Sequence, residues 1–504
     1  MTTTRLLTLG ENLLTGEPVG HSLRLANRHG IIAGATGTGK TVTLQRLVEE
    51  FSDAGVAVFA ADVKGDLSGI ATAGTPSGKI AERIASMNWL QHSPKGYPVC
   101  FWDVFASQGH PLRTTISDMG PLLLANLLEL TDAQQAVLYT TFKVADREGL
   151  LLLDMKDLKA MISHLLDNPE ALADDSALFT RQSANALLRK LATLEQQQAD
   201  QFFGEPALQL GDILQPSADG RGTIHILDGT RLVHEAPKLY ATFLFWLLSE
   251  LFEQLPERGD ADKPVLALFF DEAHLLFKGT PKALQDRIEQ VVRLIRSKGV
   301  GVYFVTQSPS DLPDAVLAQL GLRVQHGLRA FTAKEQKSLK AVADGFRPNP
   351  VFGTLQELTT LGIGEALFAT LEDKGTPSVV QKVAIAPPQS RVGPLTDGER
   401  AQLVRQSGLG SRYDKPFDRE SAYEILAARA EQATREAQIP EKPAPAKNAA
   451  RKGAADAAGG VLGDLAGKVV QSTIRQATNQ ISRQIVRGIL GSLMGKKKPS
   501  CSSQ

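Results

Sequence analysis

The chain has 504 residues, 42% of them hydrophobic, and its 55 basic and 55 acidic side chains cancel to a formal net charge of zero. These values exclude a disordered chain, a collagen-like repeat and a small disulfide scaffold, and predict about three structural units with at least one large core. The two cysteines, Cys100 and Cys501, form no metal-type pair, and no apolar run reaches the roughly 18–20 residues of a membrane span; with no secretory stretch after Met1, the expectation is a cytoplasmic protein without a transmembrane segment.

Residues 1–28 read as a short N-terminal β segment with turns at Gly10 and at Thr15-Gly-Glu-Pro18. Two stretches follow, 29–111 and 212–395, that alternate apolar strands with amphipathic helices. Their strand candidates are Gly30–Gly34, Val56–Asp62, Thr223–Leu227, Pro264–Asp271, Val300–Thr306 and Leu322–Leu328. Almost wholly apolar runs of this length are expected of parallel strands covered on both faces. Between the two stretches, 112–211 lacks good strand signals and shows helical periodicity at 121–130, 132–146, 155–166 and 177–197, which predicts a helical insertion between the second and third core strands. A helical extension over 396–438, a Pro/Ala/Lys/Gly linker over 439–460 and a basic amphipathic helix and tail over 461–504 complete the chain.

The segment Gly34-Ala-Thr-Gly-Thr-Gly-Lys40-Thr41 matches the pattern G-x-x-x-x-G-K-[ST] and lies between an apolar strand and the helix Thr41–Phe51. Glycines let successive N–H groups turn inward onto phosphate oxygens, and the helix start adds partial positive charge there. This places Ala35, Thr36, Gly37, Thr38, Gly39, Lys40, Thr41 and Val42 around a nucleotide's phosphates, with Lys40 on the terminal phosphates and the Thr41 hydroxyl on Mg²⁺. A second apolar strand, Val265 to Phe270, ends in Asp271-Glu272. Beside a phosphate loop, Asp271 reads as a Mg²⁺ ligand and Glu272 as the general base for water, rather than as an acidic helix cap. His274 is as much a packing or capping residue as a functional one.

Gln307 follows the strand Val300–Thr306 and is either a γ-phosphate sensor or an ordinary turn residue. The helix 281–298 has its apolar stripe at Leu284, Ile288, Val291/Val292 and Ile295. Arg293 and Arg296 fall off that stripe, available to solvent or to a neighbouring subunit's nucleotide.

Taken in order, the phosphate loop, Asp62-Val-Lys64-Gly-Asp66, the helical insertion, Phe270-Asp-Glu-Ala-His274, Arg293-Leu-Ile-Arg296-Ser-Lys-Gly299 and Thr306-Gln307 resemble the HerA/FtsK superfamily, and more narrowly a bacterial branch of HerA-like helicases. The resemblance covers about residues 5–395. It implies an α/β fold: a RecA-like P-loop NTPase core with a mostly parallel central sheet, the helical insertion, and a C-terminal amphipathic helix after a linker. It also implies ATP hydrolysis with Mg²⁺ in a hexameric ring that drives double-stranded DNA through its channel. Lys40, Glu272, Gln307 and, in trans, Arg296 would then be catalytic, with Thr41 and Asp271 on the metal and Asp62 and Lys64 at the nucleotide's edge. Such motors carry an N-terminal β-barrel, where here about 28 residues precede the core. The Asp-Glu-Ala-His string also suits a helicase with two tandem RecA-like domains, but the roughly 80 residues between Gln307 and Pro387 are too few for a second one.

Charge separates the tail from the body. Residues 445–504 carry ten basic and two acidic side chains, a net of +8, leaving −8 on the rest. An acidic body is not the footprint of a chain that coats nucleic acid, so an ATP-dependent switch acting on a protein stands as the alternative to a DNA motor. In the tail, Leu462, Leu465, Val469, Ile474, Ala477, Ile481, Ile485, Ile489 and Leu493 recur mostly at helical intervals. Its Gln, Asn and Ser content favours a protein partner or self-association over a membrane surface or DNA.

Overall fold

Twelve strands form one sheet in a computed structural model that describes residues 5–259, 261–372 and 375–437. In chain order they are β1 (Leu6–Asn12), β2 (Pro18–Ser22), β3 (Gly30–Ala33), β4 (Ala57–Asp62), β5 (Val99–Asp103), β6 (His110–Pro111), β7 (Ile224–Asp228), β8 (Leu266–Phe270), β9 (Val300–Thr306), β10 (Leu322–His326), β11 (Glu365–Ala369) and β12 (Gln381–Ile385). Their spatial order is β2-β1-β12-β11-β10-β3-β9-β8-β4-β7-β5-β6. From β10 to β6 every pairing is parallel, whereas β11, β12, β1 and β2 extend the sheet as an antiparallel wing.

Side-chain alternation along the central strands divides the core between two faces. Ile31, Phe59, Leu268 and Phe304 point into a layer shared with the helical insertion and with the helix Pro237–Gln254. Ile32, Val58, Phe269 and Val305 point the other way, against Leu44, Leu47 and Phe51 of the helix Lys40–Asp53. The long apolar run near Tyr240–Phe252 is thus a buried helix of the core, and no described helix is long and apolar enough to cross a membrane. The insertion consists of helices Ile116–Leu127, Asp132–Glu148, Met155–Asp167 and Arg181–Gln196 with shorter turns between them. It does not join the second core strand to the third directly, because β5 and β6 precede it and β7 follows it, all at one edge of the sheet. The expected linker and basic helix, 439–504, lie outside the described residues.

The strand order positions the site. The phosphate-loop strand β3 and the carboxylate strand β8 are not neighbours, since β9 is inserted between them. In a parallel sheet all three end at the same edge, where ligands are expected to bind.

Candidate functional site

Residues 34–39 leave β3 as a loop and enter the helix Lys40–Asp53 through Gly39, whose φ of 111° no side-chain-bearing residue adopts comfortably. The turn is also tightly backed. A Cβ on Gly34 would lie 2.5 Å from the Cβ of His326, and one on Gly39 would lie 3.2 Å from the Cα of Gly364. Backbone bonds tie the loop to the same neighbours: Ala35 N–H donates to the Gly327 carbonyl at 3.1 Å, and Gly364 N–H to the Thr38 carbonyl at 3.0 Å.

His326, at the end of β10, is a support that sequence reasoning missed. Its Nδ1 lies 2.9 Å from the Glu365 carbonyl, which only accepts, so Nδ1 carries the proton. Nε2 then accepts from the Thr43 hydroxyl at 2.8 Å, fastening the first turn of the helix. Burial pushes this imidazole down to about 4, which keeps it neutral.

Lys40 is buried, and its ammonium donates to the carbonyls of Gly34 at 2.6 Å and Ala35 at 3.0 Å. Burial, and then Lys64, lower its proton affinity, while Glu272 and Asp271 oppose them. The Thr41 hydroxyl donates to Asp66 Oδ2 at 3.2 Å. Ala35, Thr36, Gly37 and Thr38 form the open rim, and Val42 sits half-buried one residue beyond Thr41.

At the end of β8, Asp271 and Glu272 are both buried. Glu272 has a φ of 47° and ψ of 50°, a left-handed conformation that is strained for a residue with a side chain. Burial pushes the Asp271 carboxyl up to about 6, against the pull of Lys64 and with the help of Glu272. For Glu272 burial acts in the same direction, but the hydrogen bond and charge of Lys64 prevail and hold it below the usual carboxylate range. Lys64 Nζ lies 2.8 Å from Glu272 Oε1 and 3.7 Å from Asp271 Oδ2, so among the described residues it meets the carboxylate pair rather than an outer rim. His274 Nδ1 stands 3.3 Å from Glu272 Oε2.

Asp62, level with this pair on β4, is pushed up to about 7 by burial, with Asp66 and Asp271 adding to it. The crowding of Asp62, Asp66, Asp271 and Glu272 creates a demand for positive charge, and Thr41 and Asp271 offer hard oxygen donors. That donor set fits Mg²⁺, which takes one or two protein oxygens plus phosphates and water. It does not suit an ion that needs an all-protein cage, and the described residues hold no cluster of three or more ligating side chains.

The structure brings Gln307 to the same edge and keeps Arg296 away from it. Ala33 pairs with Thr306 and Phe270 with Phe304, so Gln307 emerges between Gly34 and the carboxylates, with its side chain exposed. Arg296 precedes β9 at the opposite edge, where Asn27 Nδ2 donates to its carbonyl at 3.3 Å and its side chain is exposed. From the first turn of the Lys40–Asp53 helix a groove of ≈ 560 Å³ runs outward, lined by Val42, Lys79, Arg83, Ile363, Gly364 and Pro387 among others.

Asp66 and Gly364 also escaped sequence reasoning as site residues, although both lie in strings, Asp62-Val-Lys-Gly-Asp66 and Leu361-Gly-Ile-Gly-Glu365, whose glycine and acidic content is visible. Their use depends on which strands become neighbours.

Comparison with known proteins agrees with this fold. A family model described as helicase HerA-like C-terminal matches residues 9–499. Among solved structures, the bacterial conjugative coupling protein TrwBdeltaN70 superposes with a TM-score of 0.53 at 15% identity, over 79% of this chain and 92% of its own. The plasmid coupling protein TrwB bound to the ATP analogue ADPNP gives 0.51 at 15% identity over 78% and 97%. The same protein with ADP and Mg²⁺ gives 0.50 at 16% identity over 74% and 88%. No curated protein matches.

Proposed function

The chain belongs to the HerA-like helicase family of P-loop ATPases, and from that premise we propose that it is a ring-forming motor that hydrolyses ATP between subunits to move along or unwind double-stranded DNA. One observation carries the reading: a phosphate loop with its lysine and threonine ends at the same sheet edge as an acid pair, with Gln307 between them.

The residues divide the work as follows. The loop amides from Ala35 to Val42 receive the phosphates, and Lys40 turns from its own loop carbonyls to the terminal phosphates. The groove beside Val42, Gly364 and Pro387 has the size to take the base and ribose. Thr41 and Asp271 hold Mg²⁺, which when bound neutralises the charge gathering on the phosphates. Glu272, kept ionised by Lys64, removes the proton from the attacking water, and Gln307 orients that water. Arg296, too far from its own chain's nucleotide, serves the neighbouring subunit's. TrwB's complexes with ADPNP and with ADP and Mg²⁺ support the nucleotide and metal assignments.

The net −8 of the body outside residues 445–504 favours a second reading, an ATP-driven switch that remodels a protein partner. Phosphate release measured with and without duplex DNA separates the two. Stimulation by duplex DNA that fades as salt rises supports the motor; steady hydrolysis indifferent to every nucleic acid tried rejects it in favour of the switch.

A further inference from the structure

The turn after β4 reaches both halves of the site. Because Ala61 pairs with Phe270, Asp62 stands level with Asp271, and the chain leaving β4 passes over the carboxylate pair. The buried Asp62 side chain shapes that turn: Oδ1 accepts from the N–H groups of Lys64 at 3.2 Å and Gly65 at 2.8 Å, and Oδ2 from that of Leu67 at 3.0 Å. Gly65 holds a φ of 75°, and a Cβ there would lie 3.0 Å from the Thr230 methyl, so the turn is confined from outside as well. Two side chains project from this fixed frame in different directions. Lys64 reaches Glu272 Oε1 at 2.8 Å, and Asp66 accepts from the Thr41 hydroxyl at 3.2 Å. The second carboxylate oxygen of Glu272, Oε2, is buried; among the described residues it accepts no hydrogen bond, and His274 Nδ1 stands 3.3 Å from it.

We propose that Lys64 is a positioning residue for hydrolysis: its ammonium anchors Oε1 of Glu272 and so fixes the carboxylate that takes the proton of the attacking water, while Asp66 sets the Thr41 hydroxyl, so that one turn braces both halves of the site. The proposal rests on the reading of Glu272 as the base. Glu272 needs such an anchor because its backbone is strained and its carboxylate has two oxygens but a single task. The same ammonium stands 3.7 Å from Asp271 and therefore opposes a cation there. Lys64 thus favours turnover while weakening metal binding, a pairing of effects that neither a nucleotide ligand nor a purely structural residue produces.

The test uses Lys64→Ala, Lys64→Arg and wild-type full-length protein, with three readouts: ATP turnover, equilibrium binding of a non-hydrolysable ATP analogue, and Mn²⁺ binding to the analogue complex followed by electron paramagnetic resonance. Loss of the anchor in Lys64→Ala lowers kcat about 10²-fold, the scale of a misplaced catalytic group. Analogue affinity stays within about threefold, because the lost contact is made to Glu272 and not to nucleotide. Removing a charge beside Asp271 tightens Mn²⁺ roughly threefold to tenfold. Lys64→Arg keeps the cation and restores turnover to within about tenfold of wild type. Analogue and Mn²⁺ affinities that both fall in Lys64→Ala, or a kcat that does not change, overturn the proposal. A wild-type protein without turnover refutes the hydrolytic reading itself, and the Mn²⁺ arm still reports whether Lys64 opposes the cation.

Discussion

Replacing Arg296 with alanine probes the assembled site. Arg296 precedes β9, and the seven residues of that strand separate it from the phosphate edge. At the usual rise per residue that is about 20 Å, beyond the reach of an arginine side chain. Within one chain it cannot touch the nucleotide, so a contribution to turnover has to be delivered to a neighbour. An interfacial arginine is worth about 10³-fold or more. Arg296→Ala therefore lowers kcat by at least that factor while nucleotide affinity stays within about twofold. Mixing Arg296→Ala with Glu272→Gln subunits gives a sharper readout. In a head-to-tail ring assembled at random, about one interface in four combines an intact arginine with an intact glutamate, so phosphate release recovers to about a quarter of the wild-type rate. Mixed composition is verified by native mass spectrometry on differently tagged subunits. Rings shown to be mixed that nonetheless stay inactive refute the reasoning, as does a loss of nucleotide affinity in Arg296→Ala alone.

Gln307→Ala is expected to slow turnover roughly tenfold to hundredfold without weakening nucleotide binding, as read by steady-state kinetics beside a binding titration. Gly34→Ala drives a Cβ to 2.5 Å from that of His326; it should abolish nucleotide binding while far-ultraviolet circular dichroism keeps its native shape. Acidification should work against the fold through its buried histidines. Burial holds His21, His29, His225 and His326 each at about 4 in the fold, so the unfolded chain binds more protons below its own value of about 6.5. Asp62 and Asp271, raised to about 7 and about 6, act with the opposite sign as pH falls. The carboxyls of Glu49, Glu50, Asp154 and Glu205 are raised by burial as well, so the histidine contribution is read directly by nuclear magnetic resonance: buried imidazoles that stay neutral down to about pH 4 are expected, and titration near 6.5 contradicts the assignment. In the insertion, Leu187→Ala removes a fully buried side chain of the shared core and should cost about 2–5 kcal/mol in chemical denaturation.

Much of the parallel core was legible because β3, β4 and β8 are unbroken apolar runs that end at a glycine or an acid, and β9 is apolar up to Thr306. β3, β4, β8, β9 and β10 all appear in the sequence within a residue or two of their observed limits. In the antiparallel wing, β1 and β2 fall within the β segment read at residues 1–28, whereas β11 and β12 were not read. Glu365–Ala369 and Gln381–Ile385 are five-residue strands with polar starts, and β12 finds its partner β1 more than 350 residues away. β5 escaped for a similar reason: Val99–Asp103 is short and follows a stretch without periodicity. The site divides along the same line. The phosphate loop and the acid pair are local strings whose chemistry is written in their spacing. His326 behind Gly34, Gly364 behind Gly39, and Lys64 on Glu272 are products of strand order, because β10 and β4 must first flank β3 and β8 before those side chains meet anything. Lys64 shows the difference most clearly. Its position in the turn is visible from sequence, whereas its partner is fixed by the pairing of Ala61 with Phe270.

The measurement closest to the central claim is an equilibrium titration of a fluorescent ATP analogue with Mg²⁺ into the wild-type, Lys40→Ala and Glu272→Gln proteins, with phosphate release followed on the same samples. The account predicts binding and turnover for wild type, binding without turnover for Glu272→Gln, and neither for Lys40→Ala. Wild-type affinity retained by Lys40→Ala, or unimpaired hydrolysis by Glu272→Gln, contradicts it.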